Sequence, residues 1–225
     1  MKVINLGAAH SVINQYMAEL RNTDVQGDRM RFRHNLHRIG QCMAYEVSKT
    51  LSYSEKTITT PLATKQVATP DDTIVIGTVL RAGLAMHQGF LDVFDKADCA
   101  FVSAYRDESD AASETLDIHV EYIASPSLDG RTFMLVDPML ATGGSLELSY
   151  QAFLRKGTPA KLHICVAIAS QQGIDFLQQH FPSDDVTLWC AGIDPELNAQ
   201  AYIVPGLGDA GDLCFGEKMS GRAWE

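Results

Sequence analysis

An α/β fold, with a mainly parallel sheet flanked by helices, is what this sequence predicts. Two observations carry the prediction. Short apolar runs of strand length alternate along the chain with segments of helical periodicity, and that order puts helices on both faces of a parallel sheet. The runs Thr73–Leu80, Thr132–Val136 and Leu162–Ala169 are apolar nearly throughout, as strands covered on both faces must be. With 225 residues and 46% hydrophobic content, the chain can build a real core. It reads as one domain spanning 1–225, against a prior of roughly 100–200 residues per domain.

The elements follow in order. Val12, Ile13, Tyr16, Met17 and Leu20 recur at helical spacing, as do Phe32, Leu36, Ile39, Met43, Val47 and Leu51, so two amphipathic helices open the chain. The threonine-rich stretch 57–70 contains Pro61 and suits a hairpin or arm, not a central strand. Thr73–Leu80 is a strand, Leu84–Val93 a helix and Ala100–Tyr105 a strand. Residues 107–115 are polar and acidic, and are expected to form a mobile loop. Leu116, Ile118, Val120 and Tyr122 alternate with Asp117, His119 and Glu121, the period of a half-exposed strand. Thr132–Val136 is a core strand. The helix after the next loop ends near Lys156, with Gly157 just past it. Leu162–Ala169 is a strand, Ile174–His180 a helix, and Val186–Ala191 is expected to be the last strand.

Composition narrows the function. A formal charge of −10 argues against a nucleic-acid-binding face. It leaves room for a small anionic ligand held by a few arginines. No apolar run approaches the ~20 residues of a membrane span, and the opening Met1–Leu6 lacks the apolar centre of a signal peptide, so a cytoplasmic location is expected. The five cysteines are scattered without a Cys-x-x-Cys pair, as reduced core cysteines are. His34 and His37 lie one helical turn apart, but without a nearby acid or cysteine they read as a solvated face and not as a metal site. Arg29, Arg31, Arg33 and Arg38 cluster on one predicted helix, as a solvated face or as an effector or subunit contact.

The chemistry concentrates after the strand at 132–136. Phe133-Met-Leu-Val runs into Asp137, and a short loop then ends in Thr142-Gly-Gly-Ser145 before a helical segment. An acid at a strand's carboxyl end, followed by a small-residue turn that opens a helix, makes a place for a sugar phosphate. The glycines let backbone amides approach a phosphate, and the helix N-terminus adds unpaired donors and partial positive charge. Asp137 can accept from ribose hydroxyls; it can equally cap a helix in an ordinary connection. The pattern is neither a Walker A loop nor a dinucleotide fingerprint. Arg81, Arg106 and Asp137 each follow a predicted strand, and in a parallel sheet such residues converge on the carboxyl rim, where ligands bind at a topological switch point.

The full string Val136-Asp-Pro-Met-Leu-Ala-Thr-Gly-Gly-Ser145 resembles the phosphoribosyl-pyrophosphate (PRPP) motif of type I phosphoribosyltransferases, in the form found in uracil phosphoribosyltransferases. Leu80-Arg-Ala-Gly-Leu84 and Tyr202-Ile-Val-Pro-Gly-Leu-Gly-Asp-Ala-Gly-Asp212 agree with that family in order and spacing, and the second resembles its uracil-binding segment. The resemblance implies a type I phosphoribosyltransferase-like fold with a hood formed by the N- and C-terminal segments. It implies transfer of the phosphoribosyl group of PRPP to uracil, giving UMP and pyrophosphate, through an oxocarbenium-like state without an enzyme nucleophile. Arg81 and Arg106 match the arginines that contact pyrophosphate. Asp137, Pro138, Met139, Leu140, Ala141, Thr142, Gly143, Gly144 and Ser145 match the segment that holds the ribose and its 5′-phosphate. Ile203, Gly208, Asp209 and Ala210 match the residues that hold the base.

Relatives acting on other bases carry two adjacent acids where this chain has Asp137-Pro138, a departure that fits the uracil branch. Asp209 is assigned to supply the missing charge near ribose and metal; as residue chemistry alone, it also suits a turn cap. Mg²⁺ is expected, held mainly through PRPP. The family further implies a homodimer or higher assembly, with the 57–70 arm a candidate contact, and GTP as an effector in some members. Two other readings remain open: a nucleotide-sensing regulator on the same fold, and transfer to a different nucleobase.

Overall fold

The computed structural model describes residues 1–106 and 118–218. The acidic stretch 107–115 and the tail 219–225 lie outside the described residues, as do the side chains of 104–106 and 118–121. β1 (Lys2–Asn5) opens the chain. α1 (Val12–Arg21) begins at a capping box in which the Ile13 amide donates to the Ser11 hydroxyl and the Ser11 amide to the Asn14 side chain. After the single turn α2 (Thr23–Gln26), α3 (Arg29–Ser48) starts at Asp28, whose carboxylate accepts from the Arg31 amide at 3.1 Å. β2 (Tyr53–Thr59) and β3 (Thr64–Pro70) form an antiparallel hairpin in which every residue of β2 is exposed.

β4 (Ile74–Val79), α4 (Leu84–Val93), β5 (Asp98–Arg106), β6 (Ile118–Ala124) and β7 (Thr132–Val136) come next. They are followed by β8 (Met139–Leu140), α5 (Gly144–Leu154), β9 (Lys161–Val166), β10 (Ile168–Ser170) and α6 (Gln171–His180). β11 (Val186–Cys190), β12 (Ile193–Asp194), β13 (Glu196–Leu197), β14 (Ile203–Val204) and α7 (Ala210–Phe215) complete the described chain.

Seven strands make the central sheet in the order β1-β11-β9-β7-β4-β5-β6, parallel except for the last pair. From β4 the chain goes to β5 on one side and returns to β7 on the other, so the topological switch lies between β4 and β7. Val136 stands opposite Thr78, and Val79 opposite Val102, so β4, β5 and β7 end on one rim.

Alternate residues of each central strand enter different cores. Ile74 and Ile76 of β4 and Met134 and Val136 of β7 pack with α1, α3 and α4. Val75, Phe133 and Leu135 pack with α5 and α6. This period of two, buried on both faces, is why these runs look continuously apolar in sequence. Beyond the carboxyl ends of β7, β9 and β11, the chain continues directly into β8, β10 and β12, a small parallel sheet. Ile203, Leu207, Ala210 and Cys214 join the core of α1 and α3, so the N- and C-terminal segments pack together as the expected hood. No helix among the described residues is long and apolar enough to cross a membrane, and all five cysteines are free.

The structure corrects several expectations. β1 was not anticipated; four residues of mixed polarity at a sheet edge carry no clear period. Leu162–Ala169 is not one strand. It breaks at Ala167, whose amide donates to the Pro138 carbonyl at 3.1 Å and whose carbonyl accepts from Ala191, turning the chain into the small sheet. Val186–Ala191 is not the last strand, because β12, β13 and β14 follow, each too short to show a pattern. The hairpin is longer than 57–70, beginning at Tyr53. The glycine-rich segment after Pro205 contains α7, which no apolar period announces in the sequence.

Candidate active site

The switch point between β4 and β7 opens into a cavity of about 260 Å³. Three separate segments meet there: Arg81 after β4, Asp137 and Ser145 after β7, and Asp209 and Ala210 at the start of α7. Asp137 extends β7, its amide donating to the Cys165 carbonyl at 3.1 Å. Its carboxylate accepts from the Met139 amide at 3.3 Å, the one intramolecular bond recorded for it among the described residues. Burial pushes this carboxyl up from the ordinary 3.8 to about 7, opposed only by the Met139 amide. An acid in that state gains most from a ligand that brings hydroxyl donors or positive charge.

The loop after Asp137 is pinned from behind. Ser170 donates to the Ala141 carbonyl at 2.6 Å and caps α6 by accepting from the Gly173 amide at 2.8 Å. Gly143 sits at φ 90°, and a side chain there would come within 2.5 Å of the Phe176 ring. α5 starts immediately afterwards with no side-chain cap, so its first-turn amides face outward without an intrahelical partner. Pro138 and Leu140 lie buried behind the loop; the Pro138 carbonyl is taken by the Ala167 and Ile168 amides. Met139 and Ser145 line the cavity, while Thr142 is exposed at the loop's tip.

Arg81 reaches across the cavity mouth. Its Nη2 donates to Asp212 at 3.1 Å and to the Gly216 carbonyl at 3.2 Å. The first of these is an ion pair that ties Arg81 to α7. Gly83 stands at the N-cap of α4. A side chain there would strike Thr78 and the Val79 and Val136 carbonyls at 2.7–2.9 Å, so the residue lets α4 start tight against the strand ends. Arg106 ends β5 on the same rim, with its side chain outside the described residues.

Asp209 caps α7, its Oδ1 accepting from the Asp212 amide at 2.9 Å, while the residue also lines the cavity. The capping reading of Asp209 has its hydrogen bond here. Gly208, at φ 89°, is exposed, Ala210 lines the cavity, and Ile203 is a buried core residue.

Residues 7–217 match the uracil phosphoribosyltransferase family model. This chain belongs to the uracil phosphoribosyltransferase family. A uracil phosphoribosyltransferase of Porphyromonas gingivalis is 50% identical over 219 residues, covering 97% of this chain and 100% of the relative. One from Pyrococcus furiosus is 36% identical over 210 residues, covering 92% and 87%. Among solved structures, the AQ2163 protein of Aquifex aeolicus superposes with a TM-score of 0.83 at 32% identity, covering 95% of this chain and 98% of that one.

Family membership agrees with the three motifs recognised in the sequence, and the cavity is where those motifs meet. The sequence reading missed Gln200, Ala201 and Lys218, which also line it. Lys218 is the one whose signal was available, as a cation just past the base-binding motif. Among the described residues, no three His, Cys, Asp or Glu side chains gather in metal-binding geometry. His37 instead pairs with Asp92 at 2.6 Å. The described residues alone therefore offer no cage for a cation. Asp137 and Asp209 are the acids that face the cavity, a donor set suited to a hard ion that keeps its waters and shares substrate oxygens.

Proposed function

We propose that this chain transfers the phosphoribosyl group of PRPP to uracil, forming UMP and pyrophosphate. The observation that carries the reading is the convergence of Arg81, Asp137, Ser145, Asp209 and Ala210 on one cavity at the sheet's switch point, within a chain of this family. The uncapped first turn of α5 and the loop Ala141–Ser145 receive the 5′-phosphate. Asp137, ionised on binding, accepts from the ribose hydroxyls. Arg81 exchanges Asp212 and the Gly216 carbonyl for pyrophosphate oxygens, which its planar fork can bind in pairs. Arg106 and Lys218 add positive charge from the rim. Backbone groups at Ile203, Gly208 and Ala210 read the amide-like edge of uracil.

In the reaction the bond from uracil N1 to the anomeric carbon forms as the bond to pyrophosphate breaks, and the N1 proton passes to solvent. No residue becomes covalently attached. Catalysis is positioning together with stabilisation of the leaving charge. Mg²⁺, held mainly through PRPP with Asp209 as a protein contact, would supply further neutralisation of the pyrophosphate. Incubation with labelled PRPP, Mg²⁺ and a panel of bases tests the assignment; transfer to uracil is the expected outcome.

Assembly and regulation belong to the same reading. The hairpin exposes Ile58, Leu62 and Val67, with Leu62 97% exposed, and this apolar arm suits contact with a second copy. α3 carries Arg33, His34 and His37 along a groove of about 290 Å³ closed by Leu84 and Phe215. That groove, with Arg33 and two imidazoles, is our candidate for a GTP effector. Arg33 donates to the Cys214 carbonyl of α7 at 2.7 Å, so a ligand there would bear on the base-binding segment. Turnover with and without GTP is the check. A cytoplasmic location stays part of this reading, as an expectation.

A further inference from the structure

A part-buried ion pair grips the segment that carries the proposed base-reading groups. Arg21 ends α1, Asp194 ends β12, and Gly206 lies in the turn after β14. The Arg21 fork places Nη1 and Nη2 on the two Asp194 oxygens, each at 2.7 Å. The same Nη1 donates to the Gly206 carbonyl at 2.9 Å, and the Gly206 amide donates to Asp194 Oδ2 at 2.8 Å. One residue therefore has both of its backbone polar groups held by the two halves of one ion pair.

The rest of the turn is equally constrained. Gly206 sits at φ 62°, where a side chain would lie 2.9 Å from the Ile203 carbonyl carbon. Leu207 is buried, and its carbonyl accepts from Gln26 Nε2 at 3.2 Å; that amide also donates to Leu20 at 2.8 Å. The chain then passes through Gly208 to Asp209, which caps α7. The first-turn amides of α7 have no intrahelical acceptor.

A buried ion pair repays its desolvation only when further hydrogen bonds complete it. Asp194 is only 5% exposed, and its bonds are to Arg21 and the Gly206 amide. The guanidinium, which rests against the Gly206 carbonyl, has a planar fork that an ammonium cannot reproduce. What the pair specifies is the position and orientation of the peptide groups on either side of Gly206.

We propose that Arg21 and Asp194 are positioning residues for base recognition. They set the backbone from Gly206 onward so that the groups at Gly208 and Ala210 meet the oxygens and N3–H of uracil. This rests on the reading that Ile203, Gly208 and Ala210 hold the base. The pair lies outside the PRPP loop 137–145 and acts first on the base-reading backbone, so it bears on uracil more than on PRPP, which Asp209 and Arg81 still reach through α7.

Three variants test it: Arg21→Lys, Asp194→Asn and, as a probe of the base site itself, Gly208→Val. For each, uracil KM is measured at saturating PRPP, PRPP affinity is measured by calorimetry without base, and hydrogen exchange is followed in 203–210. A misplacement of about 1 Å can cost roughly 100-fold, so Arg21→Lys is expected to raise uracil KM by roughly 10- to 100-fold. PRPP affinity should change several-fold less than that, with exchange quickening in 203–210. Asp194→Asn should do the same or more. If Gly208→Val raises uracil KM and Arg21→Lys does not, the positioning role is wrong and the base-site reading stands. If neither moves it, both are wrong. Should Arg21→Lys weaken both substrates alike with exchange quickened throughout the chain, the pair is merely structural and the proposal fails.

Discussion

Replacing Asp137 with Asn should make the unliganded protein more stable in alkaline solution while weakening its hold on PRPP. Burial raises this carboxyl from 3.8 to about 7 in the folded chain. Between those values the unfolded chain has lost the proton and the folded chain keeps it. The folded state thus binds more protons, and stability falls as pH rises. The penalty is absent below about pH 3.8 and complete above about pH 7. A shift of about three units corresponds to about 4 kcal/mol at pH 8, of which roughly 2.5 kcal/mol develops between pH 5 and pH 8. Asn cannot ionise, so the variant escapes it.

For a chain of this size that is a gain in Tm over wild type about 5–10 °C larger at pH 8 than at pH 5. Circular dichroism melts across that range read it directly. The same variant should lose roughly 1.5–3 kcal/mol toward PRPP, because hydrogen bonds to a charged acceptor are lost; that is roughly a 10- to 150-fold rise in KM. Melting curves that stay parallel across pH would refute the burial argument, and a wild-type KM for PRPP would remove Asp137 from the ribose site.

The Arg81→Lys enzyme should lose kcat/KM for PRPP by at least about tenfold, since a point charge cannot replace a planar fork; wild-type steady-state kinetics would place Arg81 outside the site. Gly143→Val introduces a β-branched residue at φ 90° against the Phe176 ring, and should cost roughly 2 kcal/mol of stability. It should also weaken PRPP binding in calorimetry, because the N-terminus of α5 moves; an unchanged Tm would mean that the loop relaxes freely.

How much of this was legible in the sequence differs from element to element. β7 and α4 begin and end where the apolar pattern places them, because Thr132–Val136 and Leu84–Val93 are bounded by sharp changes of character. The meeting of Arg81 and Asp137 was legible too, since each follows a strand of one parallel sheet. α7 was hidden because Gly206, Gly208 and Gly211 suggest loop, and the cap at Asp209 makes a helix of only six residues. The small sheet β8-β10-β12 was invisible because its two- and three-residue strands are set by tertiary hydrogen bonds, such as the Ala167 amide on Pro138, and not by local period. Arg21, Asp194 and Gly206 could not be joined from sequence at all, as nothing local links residues so far apart.

The central claim is that the cavity at the β4–β7 switch transfers phosphoribosyl groups to uracil by reading the base with backbone groups. Initial rates of nucleotide formation from PRPP and Mg²⁺ with uracil and with cytosine, at matched base concentrations, test it most directly. Cytosine replaces the O4 acceptor with an amino donor and lacks the N3 proton, so a fixed backbone pattern would face donor with donor and acceptor with acceptor. Sites built for a polar partner reject the wrong one by roughly 10⁴-fold or more. The account predicts UMP and pyrophosphate from uracil and a kcat/KM for cytosine lower by that factor. Comparable values for the two bases, or no transfer to uracil, would contradict it.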